Sequence, residues 1–339
     1  MTKYLSDKLT LFYTLLIIMV VYIHSYYLEA EQYSIALFLQ KLTGGGICRI
    51  ANCMFFCISG YLFTRNIHTI QEVGLKLKKR IRTLLIPYML WNVIFVLWYV
   101  VLALIPGLSR FNNSSDMLDG YFGGTLWESF YNLFVKPAAF QLWFLRDLLV
   151  MLALTPLLWW ITQKSWIVAV IAAFVTVYVY PSSWLIYYWL GLIIATQKWN
   201  IENYPKPISL LVACIIPFIG YAVYIALGYE PAGWLDIPVN LMGLYITWTI
   251  YDYIAKGRCF ADKGLWRYIC GYSFFIYCFH EPAFNIIKKL ALVICGTSER
   301  VLIFFYFINP WIMVAMAVIT ARLLQRSMPR AYKILTGGR

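Results

Sequence analysis

The sequence predicts an all-α integral-membrane protein, a bundle of about ten transmembrane helices, on two observations. Apolar residues make up 62% of the 339 positions, aromatics 19% and charged residues only 13%, a balance unlike that of a soluble domain. The stretch from Leu9 to Leu28, LTLFYTLLIIMVVYIHSYYL, also runs without a charged side chain for about the length a helix needs to cross a bilayer core.

Taken in order, the apolar segments lie near 9–28, 47–65, 84–106, 139–161, 165–181, 183–197, 208–228, 237–255, 270–291 and 300–324. The two around 165–197 are short for spans. No short apolar core with a small-residue cleavage site precedes Leu9, so the first span reads as a retained helix. Six of the eight cysteines (Cys53, Cys57, Cys214, Cys270, Cys278 and Cys295) fall inside apolar segments, where a thiol behaves as a small hydrophobe. Cys53 and Cys57 share a helix face, but two soft ligands do not make a metal site, and none is expected. Without tandem repeats or low-complexity stretches, residues 1–339 read as a single transmembrane domain with no separate soluble domain.

Orientation follows from the basic residues, because cytoplasmic loops retain Lys and Arg. With an inside amino terminus and ten spans, both termini are cytoplasmic, and 20 of the 28 Lys and Arg residues fall inside. The net charge of +13 then reflects topology and attraction to membrane lipids, with no nucleic-acid surface required. The expected location is the cell (inner) membrane, in a multi-pass arrangement.

Against this background the polar residues stand out. His24 sits within the first span, where an imidazole either packs as a satisfied core residue or faces a polar chamber. QLWFLRDLLVMLALTPLL places Arg146 and Asp147 one to two turns into a span, as an ion pair that fixes packing or as functional charge. YSFFIYCFHEPAF puts His280 and Glu281 near mid-span and ends in Pro282, where a kink would free backbone carbonyls into the bundle. Two histidines in different spans, with carboxylates and arginines at similar depth, describe a polar chamber inside a membrane bundle.

Two loops add to it. The one from Arg65 to Arg82 carries six bases against Glu72 and reads either as positive-inside anchoring or as a polyphosphate clamp, with positions 79 and 82 one turn apart on an incoming helix. The outer loop near 107–138 offers Tyr121, Phe122, Trp127 and Tyr131, suited either to sugar stacking or to an interfacial aromatic belt. Asn112 and Asn113 each begin a glycosylation sequon, which would matter in a eukaryotic host.

In order along the chain, a first-span histidine, FFCISGYLF after RIAN at Arg49, KKRIRTLLIPY, QLWFLRDLL and FIYCFHEP together resemble the membrane-bound acyltransferase-3 family from residue 9 to 284. The resemblance implies an integral-membrane O-acyltransferase that moves an acyl group, acetyl in the usual case, from cytoplasmic acyl-CoA to a hydroxyl of an extracytoplasmic polysaccharide or glycolipid. Acetyl-CoA or another acyl-CoA is then a co-substrate, and no bound cofactor is implied. The family's first-span histidine corresponds to His24, as catalytic residue, and its basic pair entering the third span to Lys79 and Arg82, with Arg80 between, as acyl-CoA-binding residues. Arg49, Ser59, Trp143, Arg146, Asp147, His280 and Glu281 form the supporting polar chamber. Eleven residues before His24 the family usually has Arg or Lys, where this chain has Tyr13, so either another base, such as Arg49 or a residue of the 65–82 loop, takes that role or activity is altered or lost.

At about 1.5 Å per residue His24 lies roughly 20 Å beyond Leu9, comparable to the reach of a pantetheine arm threading the bundle from phosphates held on the inner side. A neutral imidazole there suits a general base on a sugar hydroxyl, and an acyl-histidine relay is the competing chemistry. Arg146 or Arg49 would stabilise an oxyanion. Two alternatives remain open: a polytopic transporter of a glycan or lipid intermediate, and a transferase of succinyl or another acyl group to a peptide or lipid.

Overall fold

A computed structural model describes residues 1–27, 35–105, 114–179, 184–202, 207–230, 233–261 and 263–338. Among the described residues there are fourteen α-helices and no strand. They are α1 (Lys3–Ile23), α2 (Ile35–Gln40), α3 (Ile50–Thr64), α4 (Ile70–Leu104), α5 (Ser114–Phe122), α6 (Leu126–Phe130), α7 (Trp143–Lys164), α8 (Trp166–Val179), α9 (Trp184–Thr196), α10 (Ile208–Ala226), α11 (Gly233–Ala255), α12 (Gly264–Cys295), α13 (Glu299–Ser327) and α14 (Pro329–Leu335). A π-helical run, Lys41–Ile47, joins α2 towards α3. Each of the ten apolar segments forms a helix, because a helix satisfies its own backbone where no water can. Among the described residues six stretches are long and apolar enough to cross a membrane: Lys3–Ile23, Ile35–Thr64, Ile70–Leu104, Phe140–Lys164, Ile208–Ala226 and Glu299–Ser327. The chain is a multi-pass membrane protein.

Three boundaries differ from the sequence expectation. Helix α1 ends at Ile23, with His24 as its C-cap, instead of continuing to Leu28, which lies outside the described residues together with Asn112 and Asn113. The segment expected as a basic loop is helical from Ile70 onward, since its Lys, Arg, Leu and Gln are good helix formers and carry no proline before Pro87. The outer loop contains α5 and α6. A capping box starts α6, with Thr125 Oγ1 accepting from the Glu128 N–H and the Glu128 carboxylate accepting from the Thr125 N–H.

The residues group into two compact units, Met1–Ile70 with Leu157–Val318 and Gln71–Pro156 with Ile319–Arg339. In the first, α3 crosses α9 at backbone contact. A Cβ on Gly60 would strike the Tyr188 carbonyl oxygen, and one on Gly191 would strike that of Cys57. The SG of FFCISGYLF is thus a close-packing pair of the kind that brings membrane helices together. A Cβ on Gly46 would likewise come within 2.7 Å of the Ala222 Cβ of α10.

The opening turns of α1 are held by a buried polar group. Lys8 Nζ lies 2.8 Å from Asp252 Oδ2 and 3.8 Å above the Trp248 ring, Tyr4 donates to Asp252 at 2.6 Å, and Asp7 accepts from Tyr251 Oη at 2.7 Å and from Phe260 N at 3.0 Å. In the second unit, Trp91 Nε1 donates to the Leu335 carbonyl at 3.1 Å, docking α14 on α4, and Asn92 accepts from the Ala139 N–H at 3.1 Å.

Candidate active site

His24 owes its position to what ends α1. Its own N–H bonds back to Val21 O at 3.2 Å, and its carbonyl oxygen accepts from Lys288 Nζ of α12 at 2.9 Å. A cation there suits the negative end of the helix dipole. The next residues leave the helix because tertiary partners take their polar groups: Ser25 Oγ donates to Tyr306 O at 3.1 Å, and the Tyr27 N–H donates to Gln40 Oε1 at 2.8 Å. Tyr306, fully buried, reaches back to Thr43 and Gln40 of the π-helical region. The Tyr26 ring lies where side chains on Gly44 and Gly45 would otherwise stand.

Helix α12 supplies the second imidazole. Glu281 interrupts it with φ −107° and ψ 140°, and the following Pro282 has no N–H to return to Cys278 O. This is the kink expected from HEP. Just before it, His280 is wholly buried, its Nδ1 lying 2.8 Å from Tyr277 O and 3.2 Å from Ile276 O. Carbonyls only accept, so the ring hydrogen sits on Nδ1 and the lone pair of the neutral ring on Nε2. The His24 and His280 rings are 5.1 Å apart between centroids, inclined at 44°. Glu281 is buried and accepts from Asn285 Nδ2 at 3.0 Å, and Lys288 lies two helical turns after it. The first unit therefore gathers His24, His280, Glu281 and Lys288 around the end of α1.

Arg49 joins a different group of that unit. Its Nη2 is 2.9 Å from Asp236 Oδ2 of α11, its guanidinium lies 5.9 Å from the Tyr221 ring centre, and Tyr221 donates to Asp236 Oδ1 at 2.6 Å. A charge already matched in this way is a poor stand-in for the base expected at position 13. Tyr13 itself packs its ring 5.8 Å from that of Phe55. Ser59 is half-buried on α3, next to the Gly60 crossing. An apolar groove of about 380 Å³ along α1, α10 and α11 runs from Leu11 to Met19, short of His24.

The remaining expected site residues belong to the second unit. Lys78, Lys79 and Arg82 are exposed on the first turns of α4, with Arg80 half-buried. Trp143 and Arg146–Asp147 lie at the start of α7. There Arg146 grips Asp147 Oδ1 through Nη2 at 2.7 Å and Nε at 2.8 Å, while its Nη1 donates to Val135 O at 3.2 Å. The pair therefore satisfies itself across neighbouring positions. On α6, Leu126 and Trp127 are strongly exposed, and Trp127 stacks on Phe130 at 5.7 Å.

Residue-by-residue reading did not single out Lys288, Asp236, Gln40 or Tyr306. Lys288 carried a usable signal, since a lysine seven residues after a mid-span Glu shares its helix face. Gln40 and Tyr306 carried none, because their role depends on chain brought from far away.

No solved structure matches this chain. It is similar to the succinoglycan biosynthesis protein ExoH of Rhizobium meliloti (strain 1021), at 26% identity over 355 aligned positions covering 98% of this chain and 92% of that protein. The acyltransferase domain family matches residues 9–323, an interval that contains the His24 end of α1, the α4 basic run and the α12 break, and the chain belongs to that family of acyltransferases.

Proposed function

We propose that this protein transfers an acyl group, acetyl in the first instance, from acyl-CoA to a hydroxyl of an extracytoplasmic polysaccharide or glycolipid in the cell (inner) membrane, with both termini cytoplasmic. The observation that carries the reading is the arrangement at the end of α1, where His24 is fixed by Lys288 beside a buried second imidazole and a buried carboxyl group. Membership of the acyltransferase family makes the reaction an acyl transfer, and similarity to a succinoglycan biosynthesis protein favours a polysaccharide acceptor.

In this reading His24 takes the hydroxyl proton while the oxygen attacks the thioester carbonyl; the C–S bond then breaks and the thiolate leaves as CoA. Lys79, Arg80 and Arg82 hold the nucleotide phosphates, Arg pairing two oxygens at a time. The test is transfer of radiolabel from acetyl-CoA to cell-surface glycan in membranes carrying wild-type, His24→Ala or Arg82→Ala protein at matched levels. Loss of label in both variants is expected. Wild-type labelling by His24→Ala would remove the proposed base, and no label from wild type would overturn acetyl-CoA as donor.

A further inference from the structure

His280 has two ring nitrogens in opposite circumstances. Nδ1 is bound to two backbone carbonyls beside the α12 break, whereas Nε2 is buried and, among the described residues, has no hydrogen-bond partner. A buried acceptor left without a donor is destabilising, and such a group persists where something other than stability selects it. The bonds of Nδ1 hold the lone pair on Nε2, so this atom can receive an O–H or N–H but cannot give one. The His280 ring lies 5.1 Å from the His24 ring between centroids.

We infer that His280 Nε2 contacts the acceptor: it receives the hydrogen of a sugar hydroxyl adjacent to the one that His24 deprotonates. The two imidazoles would then read a pair of neighbouring hydroxyls, making His280 a determinant of which sugar is acylated. The inference rests on the proposed function for the identity of the acceptor. Glu281 and Lys288 have other engagements, Glu281 with Asn285 and Lys288 with the His24 carbonyl. Among the described residues neither donates to Nε2.

The test uses two substitutions that separate the two nitrogens. His280→Asn keeps a donor near the Nδ1 position and removes the acceptor at Nε2, while His280→Gln extends a carbonyl oxygen to about the Nε2 position and gives up the tether. Purified full-length protein in detergent is titrated with polysaccharide from the producing cells, freed of its O-acyl groups by mild alkali, and binding is followed by tryptophan fluorescence. Thermal unfolding is measured alongside to show that both variants are folded. Binding should weaken about tenfold in His280→Asn, the cost of one lost hydrogen bond, and stay within about threefold of wild type in His280→Gln. Wild-type binding by His280→Asn, or stronger rescue by Asn than by Gln, would overturn the contact and leave His280 a tether. Binding is read without transfer, so a wild type that binds glycan but takes no acyl group from acetyl-CoA would count against the proposed function alone.

Discussion

The end of α1 and the start of α4 both hold positive or titratable groups in a membrane protein, yet they are built in opposite ways. At the end of α1 polar atoms are buried or half-buried and fixed: Lys288 on the His24 carbonyl, His280 Nδ1 on two carbonyls, Glu281 on Asn285. On α4 the Lys78, Lys79 and Arg82 side chains stand exposed along a regular helix. Fixed groups in a site that excludes water can act on a reaction in progress, because they need no reorganisation as charge develops. Exposed bases on flexible stems instead attract an anion at long range and are screened by salt. The first arrangement suits proton transfer and the second suits capture.

Kinetics can break this contrast. The largest effect is expected from His24→Ala: a fall in kcat of about a thousandfold with donor KM unchanged, the size general-base catalysis supplies. A comparable rise in donor KM with kcat intact would place His24 in capture and dissolve the distinction. Next comes Lys288→Met, which removes the cation from the end of α1 while keeping the stem. A charge-assisted bond is worth about 1.5–3 kcal/mol, so kcat should drop tenfold or more, again without change in donor KM. Rapid exchange of the amide hydrogens at the end of α1, measured by mass spectrometry, should accompany the loss if the residue acts by positioning.

Arg82→Ala should do the reverse, raising the KM for acyl-CoA about five- to tenfold at low salt. Wild type should lose the same advantage as ionic strength rises from 0.01 to 1 M, because the Debye length shrinks from about 30 Å to about 3 Å. A donor KM indifferent to salt would mean that the α4 bases serve only the lipid surface.

The smallest effect belongs to α6. Hydrogen bonds from the Thr125 backbone and hydroxyl hold the Glu128 carboxyl below the usual carboxylate range. A lowered value in the folded state means the cap contributes at neutral pH and fades as the pH falls through that lowered value. Amide protection at Thr125 and Glu128, measured relative to the intrinsic exchange rate at each pH, should fall on acidification, and Glu128→Gln should flatten the dependence.

Much of this was legible in the chain itself. Ten apolar runs, two of them short, predict ten helices, since hydrocarbon leaves the backbone few other ways to bond. His24, His280 and Glu281 could be singled out because imidazole and carboxyl groups are costly there, and Pro282 announced the α12 break. What could not be read was who meets whom. Helix α1 stops at Ile23 because Lys288, 264 positions away from His24, caps it, and Ser25 and Tyr27 find partners on other elements. Arg49 is matched by Asp236, and Gly60 of FFCISGYLF is required by the Tyr188 carbonyl of a helix more than a hundred residues later. Composition and periodicity are local and determine where helices form and which residues are expensive to bury. Pairings between distant side chains depend on packing, so only the tertiary structure decided that His24 shares its end of the helix with His280 and Lys288 while Arg49 pairs with Asp236.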